Sequence, residues 1–283
     1  MSDKDEVRQK VSEFYARSVN EGSDCGCCCG GGDATLPKGV AAKHAGYQLD
    51  ALKQLPEDAV RSSFGCGDPL AFSQVEPGQT VLDLGSGAGL DLLIAAEKVG
   101  PTGKVIGVDM TDDMLERARA NVKAAGLTNV ELRKGIIEQL PVESGTIDWV
   151  ISNCVINLSP EKERVFAEIA RVLKPGGRIS ISDIVAQDLP PWVLESAALY
   201  ASCIAGAISE QAYLDGLRQA GLEQVEVTER LVYDEPQLKG LVASEVPAEQ
   251  SACCGGIPAE LLDMAAGTVA GKIWSAKVTG RKA

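Results

Sequence analysis

The sequence predicts an α/β fold, a mostly parallel sheet with helices packed on both faces. Three observations carry this expectation. Between Thr80 and Ile184 short apolar runs alternate with helical stretches, the pattern of repeated β-α-β units. The first of these runs meets its helix through a glycine-rich turn, Gly85-Ser86-Gly87-Ala88-Gly89. A chain of 283 residues, 45% of them hydrophobic, also has enough apolar material to bury a large core without disulfides.

The chain opens on an amphipathic helix. Val7, Val11, Phe14, Tyr15 and Val19 stand at offsets of 0, 4, 7, 8 and 12, one broad apolar face, and Asn20-Glu21-Gly22 ends it. The low-complexity patch from Cys25 to Gly32 suits no regular element and reads as a mobile loop. Pro56 before Glu57 and Asp58 marks a short helix start, which leads into the turn-rich Phe64-Gly65-Cys66-Gly67-Asp68-Pro69. Strands are then predicted at 81–84, 104–109, 130–134, 147–152 and 177–184, and helices at 90–99, 112–125 and 161–173. After Asp188 the rhythm changes. Pro190-Pro191 breaks the chain, Trp192 to Ala207 reads as a buried helix, and Ser209 caps a further helix that reaches Gln219 and ends at Gly221. Residues 222–229 and 272–280 are the last strand-like runs, and no internal repeat is present. The expected organisation is therefore 1–74 as N-terminal helices with a Cys-rich loop, 75–187 as the core, and 188–283 as a C-terminal region.

Charge and cysteine content narrow the function. Forty acidic against 27 basic residues give a net charge of −13, with no Lys/Arg cluster to neutralise phosphates, so no nucleic-acid partner is expected. The start, MSDKDEVRQK, is charged where an export signal needs an apolar core, and Ala197 to Ile208 is too short to span a bilayer. The expectation is a cytoplasmic protein with no membrane partner. Nine cysteines, an odd number in a large chain, speak for thiols kept reduced for chemistry rather than for a secreted disulfide framework.

The glycine turn by itself is a tight strand–helix connection whose backbone amides can face a ligand. Asp109 ends the second strand, 20 residues after Gly89, where an acidic side chain can hold ribose hydroxyls, and Glu138 follows the third strand. With Asp83 before the turn and Leu173-Lys174-Pro175-Gly176-Gly177 before the fifth strand, the segment resembles class I S-adenosylmethionine-dependent methyltransferases. The resemblance implies a Rossmann-like, mostly parallel seven-stranded sheet with a smaller C-terminal α+β region. It implies cofactor contacts from Asp83, Gly85, Ser86, Gly87 and Gly89 at the methionine end, from Asp109 and Met110 at the ribose, and from Ile137 and Glu138 at the adenine.

Cys154 follows the fourth strand, Cys66 sits between two glycines, and Cys203 lies in an apolar stretch; each alone is an ordinary place for a buried cysteine. Taken together they are three separated thiols able to flank a methyl donor, and thiolates select soft centres. The only histidine is His44, so a histidine base is available only there. The segments around Cys66, Val81 to Asp91, Ser152 to Leu158 and Cys203 resemble arsenite S-adenosylmethionine methyltransferases from roughly Gly46 to Gly221. That resemblance implies As(III) held by Cys66, Cys154 and Cys203, and transfer of the cofactor's methyl group to arsenic. It also implies a redox step that pairs Cys66 with an N-terminal cysteine, for which Cys25, Cys27, Cys28 and Cys29 compete; Cys29 is carried as the catalytic candidate. Cys253 and Cys254 would capture arsenite, or form an exposed pair without function. Thioredoxin or glutathione is the implied reductant, arsenite the substrate and a monomer the working form. Two readings compete: methylation of a small quinone- or sterol-like acceptor on the same fold, and a non-enzymatic thiophile-binding protein.

Overall fold

The computed structural model describes residues 3–20, 47, 52–63, 65–70, 73–194, 200, 203–234, 237–238 and 266–283. In chain order these form helix α1 (Asp3–Asn20), the short α2 (Glu57–Arg61), β1 (Thr80–Leu84), α3 (Leu90–Val99), β2 (Lys104–Asp109), α4 (Asp112–Ala124), β3 (Val130–Lys134) and β4 (Ile147–Asn153). A 3-10 turn (Ile156–Leu158), α5 (Lys162–Val172), β5 (Leu173–Ala186), α6 (Pro191–Leu194), α7 (Glu210–Gln219), β6 (Leu222–Val232) and β7 (Ile273–Lys282) follow.

The strands make one seven-stranded sheet in the order β3-β2-β1-β4-β5-β7-β6. The first five pair in parallel, and β7 runs antiparallel between β5 and β6. Alternate residues of the central strands feed two cores. Leu82, Leu84, Val150 and Ile179 pack with Phe166 and Ile169 of α5 and with Tyr213 and Leu217 of α7 on one face. Val81, Val105 and Ile151 pack with Leu92, Ala95 and Val99 of α3 on the other. Burial on both faces is why these strands read as continuous apolar runs. At 25 cal/mol per Å² each such side chain contributes about 2 kcal/mol, so losing any of the three helices would uncover several such side chains.

The last two strands come from the region after residue 188 and complete the same sheet, so that region is joined to the core by the β5–β7 ladder. Ser209 caps α7, its hydroxyl accepting from Ala212 N at 3.2 Å, as the Ser-x-x-Ala spacing allows. One expectation is corrected. The apolar stretch read as a helix from Trp192 to Ala207 is helical at Pro191–Leu194, but Cys203 to Gly206 form a turn, closed by Cys203 N donating to Tyr200 O at 3.0 Å. Cys203 takes a left-handed backbone (φ 60), which no right-handed helix accommodates. A buried turn is as apolar as a buried helix, so hydrophobicity alone did not separate them.

Candidate active site

The parallel strands deliver the site. β1 carries Asp83 to its carboxyl end and hands over to the glycine loop, where Gly85, Gly87 and Gly89 have φ of 63, 51 and 96. Those left-handed values suit glycine and strain other residues. Gly85 is further restricted, because a Cβ there would fall 2.3 Å from the Val155 side chain just beyond β4. Asp109 pins the loop from the end of β2, accepting hydrogen bonds from Gly87 N at 2.9 Å and Thr111 N at 2.8 Å.

The result is a cavity of about 990 Å³, counting its open mouth. All nine residues expected from the sequence to meet a cofactor line it: Asp83, Gly85, Ser86, Gly87 and Gly89 from the first turn, Asp109 and Met110 from the second, Ile137 and Glu138 from the third. It lies at the carboxyl ends of the strands, beside the point where β1 faces β2 on one side and β4 on the other, where open α/β sheets bind ligands.

Its electrostatics ask for a cation. Burial raises the Asp83 carboxyl well above the ordinary range, with the Asp91 and Asp109 charges adding to it. Burial likewise takes Asp91 up to about 7, against opposing hydrogen bonds from Tyr47 and Asn153. Asp109 is raised by burial as well, with the Thr111 and Gly87 amides working the other way. Three carboxyls in one recess stabilise a positive ligand once ionised. Ser86 Oγ is buried there without a hydrogen-bond partner. This donor and acceptor set fits the sulfonium, ammonium and hydroxyl groups of S-adenosylmethionine.

Helix α1 covers part of the mouth. Arg8, Val11 and Tyr15 line the cavity, and the Arg8 guanidinium donates to Glu138 Oε1 at 3.2 Å and to Glu161. Glu138 also accepts from Ser159 Oγ at 2.6 Å. Arg8, Asp91 and Asn153 were not anticipated. An acid in the first turn after a glycine loop was a signal for Asp91. Apart from its i,i+3 pair with Asp5, the contacts of Arg8 are made across the fold and leave no local trace.

The structure brings Cys66, Cys154 and Cys203 into one buried apolar cluster with Leu158, Ile184 and Ile204. Cys154 lines the cavity. Cys66 and Cys154 are joined by a disulfide with their Cα atoms 6.0 Å apart, and the Cys203 thiol donates to Cys154 O at 2.8 Å. Cys66 thus pairs here with Cys154 rather than with an N-terminal cysteine. In this oxidised form no group of three His, Cys, Asp or Glu side chains among the described residues is arranged to hold a metal ion, two of the candidate sulfurs being bonded to each other. Cys25, Cys27, Cys28, Cys29, His44, Cys253 and Cys254 lie outside the described residues.

A methyltransferase-domain family matches residues 75–221, just over half of the chain. The deciding comparison is with the crystal structure of an arsenic(III) S-adenosylmethionine methyltransferase from Chlamydomonas reinhardtii. It is 32% identical, covers 87% of this chain and 73% of that one, and superposes with a TM-score of 0.59. The chain belongs to the arsenite S-adenosylmethionine methyltransferase family. Two curated arsenite methyltransferases agree: one from Halobacterium salinarum is 43% identical over 238 residues, 80% of this chain, and the human one 32% identical over 216 residues, 72% of it. The chain spans 59% of the length of the first of these family members and 54% of the second. Among the described residues no helix is long and apolar enough to cross a membrane.

Proposed function

We propose that this protein methylates trivalent arsenic, held by the thiolates of Cys66, Cys154 and Cys203, using S-adenosylmethionine. The observation that carries the reading is the meeting of two sites: Cys154 lines the acidic cavity while sharing one apolar cluster with Cys66 and Cys203. Bound in the cavity, S-adenosylmethionine would supply an electrophilic methyl group on a sulfonium.

The chain's own residues do the rest. The disulfide between Cys66 and Cys154 takes up two electrons and two protons from a dithiol or from two thiols, and thioredoxin or glutathione is the reductant class proposed. The released sulfurs, with Cys203, then bind As(III) as thiolates, a soft set for a soft centre. Asp83, Asp91 and Asp109 hold the cationic donor, and the buried cluster around Leu158 and Ile184 excludes water. Arsenic keeps its lone pair in such a thiolate site, so no general base is needed. With the cofactor bound, the As–C bond would form as its methyl–sulfur bond broke, the electron pair staying on the departing sulfur. Holding both partners in line is the protein's main contribution, and good alignment lowers a barrier by about 7–11 kcal/mol. Arsenic is formally oxidised by two electrons, and a thiol pair closing to a disulfide returns them. Methylated products make arsenic detoxification the proposed role; the cytoplasm as its place and a monomer as the working form are proposed with it.

The test is speciation of arsenic after incubation with arsenite, S-adenosylmethionine and a thiol reductant. Wild type is expected to give methylated arsenicals. Cys154→Ser and Cys203→Ser are expected to give none while still binding the cofactor. Full activity in either variant would remove the three-thiolate site, and absence of methylated arsenic from a cofactor-binding wild type would favour a small organic acceptor.

A further inference from the structure

The residue before Cys154 is an asparagine, half-buried at the edge of the cavity, whose side chain makes a dense set of polar contacts. Asn153 Oδ1 accepts from two successive amides, Cys66 N at 3.0 Å and Gly67 N at 3.2 Å. Its Nδ2 donates to Gly67 O at 2.6 Å and lies within reach of Tyr47 Oη at 2.9 Å and Asp91 Oδ2 at 3.2 Å. One amide thus fills both its acceptor and its donor capacity. Tyr47 closes the ring by donating to Asp91 Oδ1 at 2.8 Å.

The turn is shaped around this side chain. A Cβ on Gly65 would lie 2.2 Å from Asn153 Nδ2, and a Cβ on Gly67 would lie 2.5 Å from Ser182 Oγ. The glycines on either side of Cys66 therefore let the turn press against the ends of β4 and β5. The far side of the turn is held more loosely, by Tyr233 Oη donating to Cys66 O at 3.4 Å. Cys154 is fixed independently, its own amide donating to Ser182 O at 2.9 Å. Once the disulfide is open, the relative position of the two sulfurs depends on the Cys66 Sγ contact to Ser182 O at 3.7 Å and on the hydrogen bonds that tie the Cys66 turn to β4, which the Asn153 amide makes.

We infer that Asn153 is a positioning residue that holds Cys66 beside Cys154 and ties the Cys66 turn to the acidic cavity through Asp91. Its purpose, supplying the third sulfur of the arsenic site, rests on the function proposed above; its geometry does not. Without it the turn gains freedom, and the effective concentration of one thiol at the other falls.

The experiment titrates the Cys66–Cys154 disulfide of purified protein in dithiothreitol redox buffers. Each protein disulfide opened gains two electrons and two protons as dithiothreitol closes to its cyclic disulfide, and the Cys66 and Cys154 peptides are quantified by alkylation and mass spectrometry. Asn153→Ala is expected to shift the equilibrium at least tenfold toward the dithiol. Asn153→Asp at pH 6 keeps an acceptor for the Cys66 and Gly67 amides but loses the donor to Gly67 O, and is expected to shift the equilibrium less than Asn153→Ala. Asn153→Ser replaces the Ala variant should that one not fold. An equilibrium within twofold of wild type in Asn153→Ala, or equal shifts in the Ala and Asp variants, would overturn the assignment.

X-ray absorption of the reduced proteins with arsenite is the second arm. Three As–S contacts are expected in wild type and two in Asn153→Ala. Three contacts in both would overturn the positioning role. An unbound wild type would sink the arsenic reading alone, because the dithiothreitol titration contains no arsenic and still decides the role of Asn153.

Discussion

Binding of S-adenosylmethionine should be governed by the ionisation of Asp91. This carboxyl lines the cavity and is pushed up to about 7, chiefly by burial, from an ordinary 3.8. A cation binds the carboxylate and not the acid, so affinity should rise with pH until Asp91 is ionised and then level. For one such group the dissociation constant grows tenfold per unit below 7. Between pH 8 and pH 5 the loss is about hundredfold, or about 2.7 kcal/mol. Binding should also release up to one proton below pH 7. Calorimetric titration across this range, in buffers of different ionisation enthalpy, measures both quantities. Asp91→Asn is the control. It keeps an acceptor for Tyr47 but has no proton to lose, so its affinity should be weaker and its pH dependence shallower, reduced to what Asp83 and Asp109 contribute. An affinity constant within threefold from pH 5 to 8 in wild type, or a wild-type slope retained in Asp91→Asn, would refute the reasoning. The sign for stability is opposite. The folded chain holds this proton up to about 7 while the unfolded chain gives it up near 3.8. Its contribution to the ligand-free protein is therefore full below 3.8 and lost as pH rises through 7.

Asp183 behaves in the same way: burial takes it to about 7, against donation from Ile184 N and Tyr213 Oη. Asp183→Asn should flatten part of the fall in melting temperature between pH 4 and pH 7, and an unchanged profile would mean that this carboxyl ionises normally. Asp109→Ala would leave the Gly87 and Thr111 amides without their acceptor, about 1–3 kcal/mol for each buried group left unpaired. Cofactor affinity should fall at least tenfold in equilibrium dialysis, and wild-type affinity would place the ribose elsewhere. Arg8→Ala removes the guanidinium that spans Glu138 and Glu161. Amide exchange along α1 should accelerate selectively; unchanged protection would show that the apolar face around Val11 holds the helix unaided. Gly65→Ala should destabilise wild type but be much better tolerated beside Asn153→Ala, since the clash is with that side chain, and additive losses in denaturant would disprove the contact.

The parts of the fold that were legible are those set by local chemistry. The elements Leu90–Val99, Lys104–Asp109 and Val130–Lys134 have the ends expected from the sequence, because glycines and charged residues punctuate strongly apolar runs there. The nine residues expected to meet a cofactor line one cavity for a related reason, all sitting at the carboxyl ends of parallel strands or in the segments that follow them. Asn153 carries a different kind of information. In sequence it is one polar residue at a strand end, and its value comes from amides contributed by a turn far away in the chain. The same is true of Arg8, whose partners Glu138 and Glu161 lie on other elements. Disulfide connectivity is also a property of the folded state, so the Cys66–Cys154 pairing was not readable from spacing.

Backbone conformation at two of the cysteines yields a last prediction. Cys154 and Cys203 both adopt the left-handed region, with φ of 62 and 60. For a residue with a Cβ this costs roughly 1–2 kcal/mol, and glycine avoids it. Glycine in turn has about 0.5–1 kcal/mol more chain entropy to lose on folding. At Cys203, which is outside the disulfide, the two effects can be separated. Both Cys203→Ala and Cys203→Gly lose the sulfur and its hydrogen bond to Cys154 O, so that loss cancels between them. What remains is the strain relieved minus the entropy lost, and the glycine variant should be the more stable by about 0.5–1 kcal/mol. Urea unfolding of the two reduced variants gives the difference directly. An alanine variant as stable as the glycine one would mean that the turn relaxes once the sulfur is gone. A glycine advantage would mean that the fold carries strain at a position whose distinguishing asset is a thiol held against Cys154, as a site selected for sulfur chemistry rather than for packing requires.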